Sequence, residues 1–231
     1  MDRSRIADKS KSITPILEGW DYTPDRVTVR RVQDVDGQTR IQMRLDLGIL
    51  QMRETGRPDG LQPHGCESLL AQYEDQLRQH GEQHGEQRGQ ETSFTLDAQQ
   101  CADLKAESMQ YYYRYLSAFH LGDNSAVIRD TEHNLRIFDL IRDCAAEASD
   151  RASIEEFRPY VWMMNTRAKA RMVLDREDYD QALELITEGV QRIEGFLREA
   201  HHPELISSSR EIQFLRDWAE NIRRRPTDSP T

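Results

Sequence analysis

The sequence predicts an α+β chain, mainly α: a small N-terminal β-hairpin or meander followed by an antiparallel array or bundle of helical hairpins. Three observations predict it. The hydrophobic period changes from about two in the first part to about 3.6 in the second. Charge divides at the same place: residues 1–60 carry 11 basic and 10 acidic side chains, leaving 20 and 31 for residues 61–231. Between the parts lies a stretch dense in turn residues, Gly56-Arg57-Pro58-Asp59-Gly60. The expected organisation is a β element over 1–64, a short helix over 65–80, a linker over 81–94, five helices over 95–224 and a disordered tail over 225–231.

Val27 and Val29 alternate on one arm, and Ile41, Met43, Leu45 and Leu47 on the other, around Asp36-Gly37. A three-residue loop, Val35-Asp36-Gly37 with Gly37 left-handed, sets Val29 opposite Met43 and Val27 opposite Leu45 and keeps the apolar residues on one face. The other face then pairs Arg26 with Asp46, Thr28 with Arg44 and Arg30 with Gln42. That face reads chiefly as solvated. After the hairpin, Pro58 and the flanking glycines dictate a structured turn without a phosphate-loop pattern.

Cys66 to His80 predicts a short helix carrying Leu69, Leu70, Tyr73 and Leu77. The near-repeated HGEQ run from His80 has no apolar residue and reads as a spacer. His80 and His84 have a metal-ligand spacing, but Gly81 and Gly85 weaken the helix that would present them, and no metal or other cofactor is expected.

From Thr95 the helical period dominates. One helix runs through Leu104, Met109, Tyr112, Leu116 and Phe119 to a stop at Gly122. Asp123 or Asn124 caps a second, whose broad apolar face from Val127 to Cys144 predicts packing on both sides. A third is expected over Ile154–Leu174 with Phe157, Val161, Met164, Ala168 and Met172 inward. The fourth begins near Glu177 and has the cleanest stripe, from Tyr179 through Ala182, Ile186, Val190 and Ile193 to Leu197. A fifth covers about Ser208 to Arg224, where Arg223-Arg224-Arg225 complements the helix dipole.

Composition bounds the function. With 31 Lys plus Arg against 41 Asp plus Glu, a net charge of -10 and a mean hydropathy of -0.81, the chain is expected to be cytoplasmic, without a membrane span or signal peptide. The acidity argues against nucleic-acid binding by overall charge. Cys66, Cys101 and Cys144 fit neither a disulfide framework nor a CxxC metal site. His120, His133, His201 and His202 have no recognisable nucleophile beside them, so catalytic residues are expected to be absent. A pocket around Arg57, Asp59 and His64 would be the place for an unknown enzyme.

The most unusual cluster is Tyr111-Tyr112-Tyr113 with Tyr115. Successive helical residues point about 100° apart, so at most two of the first three share a face. An aromatic groove there would suit peptide recognition, although core packing also accounts for tyrosines at this spacing. Candidate partner-binding residues are Tyr111, Tyr112, Tyr115, Trp162 and Tyr179. Arg26, Arg30, Arg31, Arg40 and Arg44, on or near the hairpin, are the alternative, a nucleic-acid contact.

Two resemblances follow. The second helical pair is similar to a tetratricopeptide unit, with Ala170 and Ala182 where helices approach, Asp178-Tyr179 at the turn and Gly189 further along. The runs Trp20-Asp21-Tyr22, Ile41-Gln42-Met43-Arg44-Leu45-Asp46-Leu47-Gly48, Gly56-Arg57-Pro58-Asp59-Gly60 and Glu67-Ser68-Leu69-Leu70 resemble bacterial UvrB/UvrC-motif-containing proteins of planctomycete type. That resemblance implies an N-terminal β element, a helical region and a closing UVR hairpin. Ser209 to Glu220 resembles the lead-in to that hairpin, but the sequence departs after Arg223-Arg224-Arg225-Pro226 and the hairpin is expected to be missing. The family implies no chemical activity. The expected function is a non-enzymatic interaction or scaffold module, with a DNA-repair or nucleic-acid accessory factor as the alternative.

Overall fold

The computed structural model describes residues 12–84 and 94–224. Its fold is α+β and mainly α. A three-stranded antiparallel meander comprises β1 (Val29–Gln33), β2 (Thr39–Leu45) and β3 (Gly48–Arg53). Val29 pairs with Met43 and Arg30 with Gln42. Gly37 lies at φ +74 and the Asp34 N–H donates to the Gln38 carbonyl, which closes the expected three-residue loop. The third strand departs from expectation: Leu45 pairs with Gly48, so Asp46-Leu47 forms a tight turn and Leu47 points into solvent, 92% exposed. An apolar residue at a turn tip continues the alternation by accident of position, and so it misleads.

The two faces of this sheet are both covered. Ile41, Met43 and Met52 are buried on one face, beside the helices. On the other, the short helix α1 (Thr14–Leu17) and Trp20 cover the polar residues. The Arg30 guanidinium stacks 3.9 Å from the Trp20 ring centroid and donates to Gln42 Oε1 and the Ile16 carbonyl. Gln42, 5% exposed, passes a hydrogen bond on to Gln51. This face was expected to be solvated; the N-terminal segment buries it, and the hydrogen-bond chain satisfies its polar groups.

The helices are α2 (Leu69–His84), α3 (Ala98–His120), α4 (Asn124–Cys144), α5 (Ala148–Glu155), α6 (Arg158–Leu174), α7 (Tyr179–Glu199) and α8 (Arg210–Arg223). α2 starts later and runs further than expected, into the HGEQ run, beyond which residues 85–93 lie outside the described residues. His80 meets Phe94 edge-on; the His84 side chain, like the 225–231 tail, falls outside the described residues. Asp97 opens α3 with a capping box shared with Gln100. Asp123, Asp178 and Ser209 cap α4, α7 and α8 through their side chains, each satisfying a backbone N–H that the helix cannot.

The expected third helix begins at Arg158 rather than Ile154, and a separate short helix, α5, precedes it. Proline lacks an N–H and its ring crowds the carbonyl four residues earlier. Pro159 therefore forbids continuation from Glu155, and the chain breaks there before restarting as α6. Phe157, expected inward, sits in the break and is 50% exposed.

α3 pairs with α4, α4 with α6, α6 with α7, and α8 closes against α7 and α6. No extensive packing joins α3 to α7 or α8, so the helices form an open array rather than a closed bundle. Ala170 and Ala182 are fully buried between helices. A Cβ on Gly189 would meet Thr166 Oγ1 at 2.4 Å, which is why glycine lets α6 and α7 approach. One apolar cluster joins Tyr115 and Ala118 to α6, α7 and α8. A second joins Leu70 and Tyr73 to Leu104, Ile137, Ile141 and Ile154. No helix among the described residues is long and apolar enough to cross a membrane.

Candidate functional site

The α5–α6 break opens a groove of about 480 Å³ between α3, α4, α5 and α6. Met109, Tyr112 and Tyr113 line one wall, Phe157 and Tyr160 the other, with Phe138 among its residues. Met109 and Phe157 stay 48% and 50% exposed. The Tyr112 ring is the hub: it meets Tyr115 edge-on at 5.5 Å, Tyr113 at 5.3 Å and Tyr160 across the groove at 6.3 Å. Burial raises the hydroxyl pKa of Tyr112, Tyr115 and Tyr160 above the ordinary tyrosine value. All three are neutral phenols at neutral pH, able to pack apolar groups and to offer a hydrogen bond. Asn134 also borders the groove. Its Nδ2 donates to the Ser108 carbonyl while its buried Oδ1 has no partner. Lys105, at the same groove, is held by Asp150 at 2.6 Å.

The tyrosine run divides as helical geometry requires. Tyr112 and Tyr113 share the groove, whereas Tyr111 faces away and stacks on His133 at 3.6 Å and 9°. Tyr115 is 1% exposed and supports the groove from beneath as part of the core. Trp162 lies elsewhere, edge-on to Phe196 and beneath Arg158. Tyr179 sits at the start of α7, also away from the groove. Of the expected partner-binding residues, the structure thus brings together Tyr112 and Tyr115. Met109, Phe157 and Tyr160 were missed. Pro159 was the available signal, because it converts an apparently continuous apolar stripe into a break with an exposed phenylalanine.

Four of the five hairpin arginines are engaged within the chain. Arg31 bonds Glu54 and Asp123, each at 2.7 Å. Arg40 bonds Asp34 at 2.5 Å. Arg30 is stacked on Trp20, and Arg44 donates to the carbonyls of Trp20 and Gly48. Arg26 is exposed.

A different polar cluster lies where the sheet meets the helices. Arg114 forms a two-pronged ion pair with Asp130, at 2.7 and 2.8 Å, with both side chains essentially inaccessible. Its remaining nitrogen donates to the carbonyls of Arg53 and Gly56. Arg129 also bonds Asp130 and reaches the Glu54 carbonyl. Nearby, Glu107 accepts from the backbone N–H groups of Leu69 and Leu70 and from His133 at 3.1 Å. Burial alone would raise the Glu107 pKa, but His133 and the two N–H groups outweigh it and hold the group below its usual value of 4.5. A cavity of about 520 Å³ borders this cluster. Arg114, Arg129, Arg136, Glu132 and His133 on its lining each already have a charged partner. The cluster fastens β3 and the following turn to α2, α3 and α4.

Candidates for chemistry do not converge. Arg57 contacts Asp59 and Glu107, and Asp59 bonds Gln110, while His64 is exposed. Cys101 and Cys144 are buried free thiols whose pKa burial raises, the opposite of an activated nucleophile. Among the described residues no group of three or more His, Cys, Asp or Glu could hold a metal ion. No protein-family model, curated protein or solved structure matches this chain.

Proposed function

We propose that this chain is a non-enzymatic protein–protein interaction module whose α3/α5/α6 groove takes an extended apolar segment of a partner. The observation that carries this reading is a cleft in which two exposed apolar side chains and a cluster of tyrosines converge and are left uncovered. Met109 and Phe157 flank Tyr112 and Tyr160 at nearly half exposure. Such a cleft has the size and the apolar lining, relieved by a few polar groups, of recognition sites. A helical array supported on one side by the sheet supplies a rigid platform, so an incoming segment is ordered without remodelling the protein.

The test is affinity capture from the native cell with the full chain and with the double variant Met109→Glu, Phe157→Glu. Both residues are exposed, so the variant retains its fold by circular dichroism. A partner held by the wild type and lost by the variant, reproduced with the purified partner, is the expected result. Equal capture by both proteins would overturn the assignment of the groove.

A further inference from the structure

Beyond the groove, the same face of the array carries Arg167 and Arg171, which form no ion pair among the described residues; Glu211, at the start of α8, lies near Tyr160 instead. Phe119 lies seven residues after Tyr112 on α3, and Arg167 lies seven after Tyr160 on α6. Two helical turns return to the same side, about 10 Å further along. There Arg167 is sandwiched between Phe119, 4.3 Å from its ring centroid, and Phe214 of α8, at 4.2 Å. Arg171 stacks on Phe119 at 4.5 Å. His120 completes the group, its imidazole kept neutral by burial and by the charges of Arg167 and Arg171.

Burial and, after it, the neighbouring Arg171 charge pull the Arg167 pKa below the usual arginine value. This is unusual in a chain of net charge -10. Elsewhere Arg31, Arg40, Arg114 and Arg158 each hold a carboxylate, and Arg30 and Arg44, which hold none, donate to Gln42 and to backbone carbonyls. The two aromatic rings fix the Arg167 guanidinium plane by stacking and leave its edge, which makes only a long hydrogen bond from Nη1 to Met164 Sδ at 3.8 Å, for an anion.

We infer that the partner segment is an acidic peptide, with an apolar anchor in the Tyr112/Tyr160 groove and a carboxylate side chain on Arg167 and Arg171. This rests on the proposed groove reading and adds the partner's chemistry. The roughly 10 Å between the two subsites corresponds to about three residues of extended chain, which fixes the spacing of anchor and acid.

Short random peptides displayed on phage are selected on the full chain and counter-selected on Phe157→Glu. The expected set is groove-dependent, rich in Asp and Glu, with an acid about three residues from a large apolar residue. Arg171→Glu should weaken a selected peptide by about tenfold or more, and raised salt should weaken binding to the wild type more than to Arg171→Gln, which keeps the Arg167 charge. Groove-dependent peptides without acidic enrichment, or with affinity indifferent to both Arg171 variants, would overturn the acidic-peptide inference while leaving the groove intact. Recovery of no groove-dependent peptide would overturn both. A single-stranded oligonucleotide that displaces the peptide, binds more tightly and requires Arg171 would replace the carboxylate ligand with phosphate and also overturn the inference.

Discussion

The sheet–helix seam and the aromatic groove are only a helix apart, yet they resolve opposite physical problems. At the seam, charged groups are buried and every charge is answered: Arg114 by Asp130 and two carbonyls, Glu107 by two N–H groups and His133. In the groove, apolar groups are left at the surface and are answered by nothing in the chain. Buried charge without a partner costs several kcal/mol, so selection for folding alone completes the seam. The exposed faces of Met109 and Phe157 gain nothing from folding, which is why the groove is the surface proposed for binding. α3 serves both, with Tyr111, Glu107 and Arg114 on one side and Met109, Tyr112 and Tyr113 on the other.

Removing charges from the two regions should therefore separate stability from recognition. The largest effect is expected for Asp130→Ala, which strands the Arg114 guanidinium in the interior. Chemical denaturation should register a loss of about 3–5 kcal/mol; a loss below about 1 kcal/mol would mean that the seam is not an obligatory fastening.

The next effect is pH dependence. The folded-state pKa of Glu107 lies below its unfolded value of 4.5, so its contribution to stability is present above that value and is lost as pH falls through the folded pKa. Glu107→Gln should lower stability near neutral pH and reduce the further loss on acidification below about pH 4.5. A variant with the wild-type acid limb in paired denaturation curves would remove Glu107 from this role.

The smallest effect on stability is expected in the groove. Met109→Glu with Phe157→Glu alters two half-exposed residues, so the unfolding free energy from chemical denaturation should stay within about 0.5 kcal/mol per site of wild type. A large destabilisation would assign the two residues to the core instead.

The contrast also explains which parts could be read from sequence. The β1–β2 register was legible because one-residue slips mix apolar and polar faces, and Asp36-Gly37 selected the loop. The helix entry at Asp123 was legible, with Asn124 as the alternative, because capping is local chemistry. β3 was hidden because Asp46-Leu47 carries an apolar residue at the turn. The α5–α6 break was hidden because the apolar spacing of Ile154, Phe157 and Val161 runs across Pro159 without a gap. For the seam, a signal existed in the sequence: Asp130, Thr131 and Asn134 fall within the otherwise apolar stripe of Val127, Ile137, Phe138 and Ile141. What it could not supply was the partner, since Arg114 pairs with Asp130 across a helical hairpin and with carbonyls more than fifty residues away. The tyrosine run fell between these cases. Its angular division was predictable from helix geometry, but the opposite wall of the groove came from a helix whose start depended on Pro159.

The most direct test of the groove as the recognition surface is amide hydrogen exchange on the full chain, with and without a peptide selected by phage display. The account predicts slowed exchange in α5, in the first half of α6 and in α3 around Met109 to Tyr113, with α2 and the sheet unchanged. Protection centred on α2, the sheet or the Arg114–Asp130 seam, with the groove helices unaffected, would contradict it.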